Sequence, residues 1–251
     1  MWRAVLVASL SVAGAAPAQR FEGTLTTKRA SISAEAVAEH AGEDRDKIFA
    51  LTLERLVELG ASLEQSTTLV KGSRFRTDVG EMPGGGRAYM ILNAETSVMQ
   101  SVMPGQRAYY EVNLARLPIP EAPEEAEKDL KVEPLGKTQT INGLRCTAYR
   151  VTGGDGEAVS IIWATQDADF RSLFESQMKA FRRQGGEERG GGGWAAKAQA
   201  QLKKYGFPVM TQELDEDGSY SVELFVLSRV PQPDSLFVVP AGFRKVTTPG
   251  E

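Results

Sequence analysis

Few residues of this 251-residue chain have the chemistry that catalysis or metal binding requires. It contains one histidine, His40, and one cysteine, Cys146. A zinc site needs several His or Cys ligands, so zinc chemistry is excluded. A serine triad or a Cys–His dyad would depend on His40, which lies in an Ala-rich, Gly-broken region that favours an exposed helix. The sequence therefore favours neither kind of catalytic site.

Two further segments partly match known loop motifs. Residues 190–193 are four glycines, but the Lys-Ser or Lys-Thr pair and the preceding apolar strand of a phosphate loop are missing, so we predict a flexible connector over residues 182–193. Residues 215–218 resemble part of a calcium loop without its other ligands, which predicts an acidic hairpin tip. Paired carboxylates stay open, because sequence gives no distances between Asp and Glu side chains. Nothing singles out a pair, and we predict a non-catalytic protein without metal or cofactor.

The N-terminus has the pattern of an export signal. Arg3 precedes an apolar run over residues 4–15, and Ala16-Pro17-Ala18 is an Ala-x-Ala cleavage site. We predict a signal peptide over residues 1–18, cleavage after Ala18, and a periplasmic or secreted protein. The run is shorter than the roughly 20 residues that span a bilayer, and we expect no transmembrane segment after cleavage.

Charge and cysteine content narrow the remaining classes. The chain has 29 basic and 33 acidic residues, a formal net charge of −4, and loss of Arg3 makes it −5. This mild acidity argues against nucleic acid as the main partner. The lone Cys146 cannot form an internal disulfide, and it alternates with Leu144 and Ala148, which predicts a small core residue.

The clearest sheet pattern lies near the C-terminus, where a strand over residues 209–214 and a return strand over residues 219–230 flank an Asp-Gly turn. On the return strand one face is apolar throughout, and the other becomes apolar at Phe225 and Leu227. A short closing strand is expected at residues 236–239. Turn spacing and the Asn142-Gly143 pair predict further antiparallel strands at residues 21–26, 69–79, 87–92, 97–103, 107–112, 137–141, 144–151 and 158–164.

Helical patterns occur in two places. Ser33 and the Glu43-Asp44 pair favour helix starts, and Gly60 favours a left-handed cap after an apolar stripe. Asp167 or Asp169 starts another helix, and a second stripe follows over residues 194–205. Two alternatives are open for the helices before Gly60: they pack on the sheet, or they form a movable lid over an apolar cavity. A ligand-binding apolar lining would be formed by Phe49, Leu53, Leu56, Met90, Met99, Met103, Phe170 and Phe174, although methionines also serve as core filler.

Several motifs together resemble a bacterial exported family catalogued as domain of unknown function 4412. They are Lys71 to Arg76, Met90-Ile91, Gly136 to Thr138, Ile141 to Gly143, Cys146-x-x-Tyr149, Trp163 to Thr165, Gly206 to Val209, Pro233 to Phe237 and Pro240 to Phe243. Residues 33–62 depart from this pattern and are interpreted as a helical insertion. The resemblance implies no known catalytic residues. It also implies a likeness to periplasmic lipoprotein carriers (LolA-like), in which a curved antiparallel sheet holds acyl chains.

We therefore predict one α+β domain over residues 19–251, a large curved antiparallel half-barrel of about ten strands with helices on its concave face. The predicted function is binding of an apolar ligand such as a lipid or lipoprotein acyl chain. The alternative is a structural or protein-interaction module of the cell envelope. A third alternative, a hydrolase using carboxylates, has no residue pair to support it.

Overall fold

The computed structural model of the protein describes residues 20–81, 86–116, 131–152, 159–182 and 204–247. The predicted signal peptide, almost all of the predicted connector and most of the second helical stripe lie outside these ranges. Residues 117–130 also lie outside them.

The described ranges contain one large sheet, which confirms the prediction of a mostly antiparallel architecture. Its order is β12-β6-β5-β4-β3-β2-β1-β11-β10-β9-β8-β7, and β12 and β7 are its two edges, so the sheet is open. Every neighbouring pair is antiparallel except β12 with β6. The strands are β1 Glu22–Ile32, β2 Glu64–Lys71, β3 Arg74–Glu81, β4 Arg87–Asn93, β5 Val98–Met103, β6 Ala108–Asn113, β7 Lys131–Ile141, β8 Leu144–Thr152, β9 Val159–Thr165, β10 Phe207–Leu214, β11 Tyr220–Ser228 and β12 Arg244–Lys245.

Strand β1 joins the two halves of this sheet. It pairs with β2 on one side and with β11 on the other, so that Leu25 lies between Thr68 and Leu227. β1 and β11 do not form a hairpin, because about two hundred residues separate these strands in sequence. The pairing is a long-range contact that local patterns do not encode.

The helical region after β1 contains three short helices, α1 Ala34–His40, α2 Arg45–Ile48 and α3 Leu53–Glu58. Their starts confirm the predicted caps, since Ser33 accepts a hydrogen bond from the Ala36 amide and Asp44 from the Asp46 and Lys47 amides. Gly60 has φ +95°, as expected of a left-handed cap. The apolar stripe before Gly60 was expected on a single helix. That helix is interrupted over residues 49–52, because Thr52 begins α3 with a new side-chain cap.

Helix α4, Ala168–Arg182, follows β9. Asp167 begins it by accepting hydrogen bonds from the backbone amides of Asp169 and Phe170, at 2.9 and 3.3 Å. This confirms Asp167 as one of the two residues predicted to start the helix.

The helices lie on opposite faces of the sheet, as the alternation of β11 shows. Tyr220 and Val222 belong to a core cluster with residues of α1, α2 and α3, such as Val37, Ile48 and Leu56. The odd-numbered residues Phe225 and Leu227 pack instead against clusters that contain Leu173 and Phe170 of α4. Side chains along a strand alternate between faces, so α4 and α1–α3 cover different sides.

Helix α4 reaches across many strands of the face that it covers. Helix α4 contacts both β10 and the 3-10 helix Leu114–Arg116 that follows β6, although six strands separate β10 from β6 in the sheet. Fifteen helical residues extend about 22 Å, whereas seven strand spacings amount to roughly 34 Å. These dimensions agree with the predicted curvature toward α4, so we call the side that carries α4 the concave face and the side that carries α1–α3 the convex face. Because the helices cover both sides of the sheet, they do not all lie on one face as predicted.

Two strand predictions need correction. Residues 69–79 are not one strand, because a turn at Gly72, with φ +62°, separates β2 from β3. The expected closing strand at residues 236–239 overlaps instead a 3-10 helix, Asp234–Phe237. Asp234 is held by ion pairs to Lys71 and Arg74, and Phe237 is buried with the Arg74 guanidinium 5.4 Å from its ring centre. These contacts fix the segment across β3, and the chain closes with β12.

Candidate functional site

The residues predicted to line a ligand site fall into three groups on two faces. Phe49, Leu53 and Leu56 pack on the convex face with Tyr220, and Leu56 is fully buried. They lie at the interface between helices α1–α3 and the sheet. The structure does not bring them near the other predicted residues.

Phe170 and Phe174 lie on the concave face. Phe170 is fully buried, and Phe174 is half-buried between the rings of Phe207 and Phe225, with ring centres 5.6 and 6.4 Å away. These rings form the contact between α4 and strands β10 and β11. They are one wall of the concave side.

The three predicted methionines form a cluster on the same face. Met90 on β4 lies directly opposite Ser101 on β5, and Met99 and Met103 lie two residues before and after Ser101. Residues directly opposite each other on neighbouring strands point to the same face of a sheet. Met90 lies opposite Thr77, Thr77 opposite Thr68, Thr68 opposite Leu25 and Leu25 opposite Leu227, so all of them lie on the concave face. Each of the three side chains is partly exposed. We call Met90, Met99 and Met103 the methionine cluster.

Sequence reasoning missed the apolar neighbours of this cluster. Leu92 and Val112 lie opposite Met99 on β4 and β6, and Tyr110 lies opposite Ser101. All three are partly exposed. The two-residue period of a strand would have placed Leu92 beside Met90, but Tyr110 and Val112 depend on the register of β6 against β5.

Another part of the concave face carries charged residues. Glu223 lies opposite Arg29 on β1, and Glu213 is on the neighbouring strand β10. Burial raises the pKa of Glu223, nearby Glu213 raises it further, and Arg29 opposes both effects. The structure thus brings together two carboxylates that the sequence could not pair. Within the described ranges no group of three or more His, Cys, Asp or Glu side chains could hold a metal ion.

Three cavities lined by described residues are open grooves with many polar side chains. One of about 570 Å³ lies beside the start of α4, where Arg229 pairs with Asp169 and Arg20 with Glu95. A second, of about 510 Å³, is lined by residues of β2, β3 and β4, and a third of about 390 Å³ lies beside β8 and β9. None of these three is an enclosed apolar hollow.

Cys146 is fully buried in the cluster with Phe170 and Val209, as predicted for a core residue. Its thiol donates to the Leu144 carbonyl, and burial raises the pKa of the thiol above its ordinary value. A buried, protonated thiol is a poor nucleophile. The packing therefore gives no support to a Cys146–His40 dyad.

We expect the folded protein to react with a disulfide reagent such as DTNB at pH 8 about a hundredfold more slowly than the urea-unfolded chain, because reaction requires an opening of the core. Absorbance at the thionitrobenzoate band measures both rates. Equal rates would contradict the burial of Cys146.

The thiol of Cys146 ionises in the unfolded chain near pH 8.5 and only at higher pH in the folded protein. The stability that the buried, protonated thiol contributes is therefore present below that pH and is lost as pH rises further.

The fold defines the class of protein: an α+β chain built on one open, mostly antiparallel sheet. Residues 51–243 match the family described as Domain of unknown function (DUF4412), and the chain belongs to this family. This confirms the family resemblance seen in the sequence. No curated protein matches the chain. None of the helices in the described ranges is long and apolar enough to cross a membrane.

Three solved structures show distant similarity. An uncharacterised conserved protein from Thermus thermophilus is 10% identical, with a TM-score of 0.37 and 90% of both chains covered. PNGF-II is 10% identical with a TM-score of 0.34, covering 89% of this chain and 30% of that chain. A DUF1329 family protein from Desulfovibrio piger is 8% identical with a TM-score of 0.22, covering 87% of this chain and 90% of that chain. Similarities of this size carry no argument about function.

Proposed function

We propose that this chain is an exported, non-catalytic protein of the cell envelope that binds an apolar ligand, such as a lipid or the acyl chain of a lipoprotein, on the concave face of its sheet. The N-terminal signal pattern supports export. The proposal includes a functional likeness to the periplasmic lipoprotein carriers, whose curved sheets hold acyl chains.

The observation that carries the proposal is the methionine cluster. Met90, Met99 and Met103 share one face, are partly exposed, and continue into Leu92 and Val112. Partly exposed apolar side chains on the inner side of a curved sheet can lose further contact with water when a ligand binds. Each square ångström of apolar surface removed from water contributes about 25 cal/mol.

The side-chain type supports a ligand of irregular shape. Methionine is unbranched, has three rotatable bonds and a polarisable sulfur atom, and adapts its conformation to different apolar partners. The Phe174 and Phe225 rings lie on the same face, at β11, which is four strands away from β4 in the sheet. A flexible apolar surface fits an acyl chain better than a polar molecule.

Replacing Met90, Met99 and Met103 together with glutamine is expected to weaken binding of a fluorescent fatty acid by at least about tenfold. The changed side chains keep similar lengths but lose apolar contact with the ligand, and about 1.4 kcal/mol in total gives this factor. Fluorescence titration of the purified mature chain measures the affinity. Native mass spectrometry after gentle purification tests for lipid that co-purifies.

A matched control is Val57→Gln, which changes an apolar side chain that is 41% exposed on α3. This variant should bind like the wild type because α3 lies on the convex face. Absence of both co-purifying lipid and fatty-acid uptake in the wild type would contradict the proposal. That result would favour the alternative, a structural or protein-interaction module of the envelope.

The open, polar-lined grooves are the observation that favours this alternative. A module of this kind needs a solid core and an accessible surface rather than an apolar hollow. The helical region over residues 33–62 or an edge of the sheet would then meet an envelope protein.

A further inference from the structure

Arg76 occupies an unusual position on the convex face. Its side chain is only 20% exposed, and its guanidinium carbon is 3.8 Å from the centre of the Tyr89 ring. Such stacking fixes the plane of the guanidinium group and leaves its edges for hydrogen bonding. Few arginines are held in this way without a partner for the donors.

The donors of Arg76 are incompletely used. Nη1 donates to the Leu236 carbonyl at 3.3 Å. Nη2 is 3.7 Å from Asp78 Oδ1, which is longer than a hydrogen bond, and Nε is buried with no hydrogen-bond partner in the described part of the chain. The Nε–Nη2 edge, which can hold two oxygens of one anion, is therefore without a close acceptor. A buried donor without an acceptor destabilises the fold.

A cavity adjoins this arginine. The groove of about 510 Å³ is lined by Arg76, Arg87, Asp78 and Tyr89, together with polar side chains of β2. Two arginines against one carboxylate give the lining a net positive charge. Asp78 is 76% exposed, so its side chain can move away from the Arg76 edge without breaking packing.

We propose that this cavity, formed by β2, β3 and β4, is a binding site for the phosphate group of a small molecule or lipid headgroup. Arg76 holds two phosphate oxygens through its Nε–Nη2 edge, and the Asp78 side chain moves aside. Arg87 reaches a further oxygen from the neighbouring strand. The cavity is larger than a phosphate ion, so the group is carried on a larger molecule.

The chemistry favours phosphate over a carboxylate. Arginines on two neighbouring strands require oxygens that point in more than one direction, which a tetrahedral phosphate supplies. This inference goes beyond the proposed function and does not depend on it. The site is on the convex face, whereas the apolar ligand binds on the concave face.

Titration of the mature chain with inorganic phosphate and with glycerol 3-phosphate, followed by amide chemical shifts at low salt, tests the proposal. Saturable shifts of β3 and β4 amides are expected. Arg76→Lys keeps the charge but loses the two-donor edge and should weaken binding about tenfold. Arg87→Gln should weaken it several-fold, and Asp78→Asn should tighten it because a competing carboxylate is removed.

The control is Arg244→Gln, which removes an exposed arginine outside the cavity and should bind like the wild type. A purely structural role of Arg76 would change the melting temperature but would not make Asp78→Asn bind more tightly.

Flotation with phosphatidylcholine vesicles, with and without phosphatidylglycerol, distinguishes a lipid headgroup from a small molecule as the source of the phosphate group. Binding only to the anionic vesicles, lost in Arg76→Lys, supports a lipid headgroup. The proposal would be overturned if neither the phosphate compounds nor the vesicles showed saturable binding. It would also be overturned if Arg76→Lys and Arg87→Gln bound as tightly as the wild type.

Discussion

Gly23→Ala is expected to lower the free energy of unfolding by about 3 to 5 kcal/mol. A Cβ atom at Gly23 would lie 2.1 Å from the Ser228 carbonyl oxygen and 2.8 Å from Cζ of Phe21. The first contact is with backbone, and Phe21 is only 1% exposed, so neither atom can move aside easily. The added methyl group would force β1 away from β11, where the two halves of the sheet meet. Urea denaturation followed by circular dichroism measures the loss.

The matched control is Gly42→Ala. Gly42 has φ +64°, and a Cβ atom there would meet nothing within 4 Å. Its cost should be only about 1 to 2 kcal/mol, from backbone strain. If the two variants lost the same stability, the close approach of β1 to β11 would not be the cause, and the central pairing of the sheet would be in doubt.

Gln212→Leu is expected to lower the free energy of unfolding by roughly 2 to 4 kcal/mol. Gln212 is buried on the convex face, where its amide group donates to the Phe49 carbonyl at 2.9 Å and to the Tyr220 hydroxyl at 2.8 Å. Its carbonyl oxygen accepts from the Trp163 indole at 3.1 Å. Leucine has a similar size but removes the Gln212 partner of the Phe49 carbonyl and of the Trp163 indole, and it leaves the Tyr220 hydroxyl with the Leu51 carbonyl alone. Urea denaturation measures the loss in the free energy of unfolding.

The same network connects the region of helices α1–α3 to the sheet, because the Tyr220 hydroxyl donates to the Leu51 carbonyl at 3.2 Å. Burial raises the pKa of Tyr220 well above its ordinary value, so the hydroxyl stays a donor throughout the physiological range. Amide exchange in residues 34–58 should therefore accelerate in Gln212→Leu more than exchange in β7 or β8. A double-mutant cycle with Tyr220→Phe should show coupling of about 1 kcal/mol.

Gln139→Leu is the control for this prediction, since Gln139 is exposed on β7. It should change stability by no more than about 0.5 kcal/mol. Equal losses in Gln139→Leu and Gln212→Leu would mean that the buried network contributes nothing. Additive losses in the double mutant would mean that Gln212 and Tyr220 act separately.

Local features of the fold could be predicted from sequence where neighbouring residues decide them. The Asn142-Gly143 turn has φ +49° and +78°, the left-handed pair that this dipeptide favours in tight hairpins. Ser33, Asp44 and Asp167 begin helices because their side chains satisfy amides two or three residues later. The two faces of β11 were also predictable, since alternation is a property of the strand itself.

The candidate site was predictable only in part. Met90, Met99 and Met103 do share a face, because their strands are joined by short turns that limit the register. Phe49, Leu53 and Leu56 were expected in the same lining, yet they pack on the other side of the sheet. An apolar stripe on a helix predicts that the helix packs on something, but it does not tell which face of a sheet will receive it.

Most of the strands, the helix caps, the hairpin turns and the small number of reactive side chains followed from the sequence, because these features depend on residues within a few positions of one another. The tertiary structure alone decided that β1 pairs with β11, that α4 and α1–α3 cover opposite faces, and that Arg76 meets Leu236. These contacts join residues between about 160 and 200 positions apart. Only the packing of the whole sheet fixes them, since no local preference distinguishes one distant partner from another.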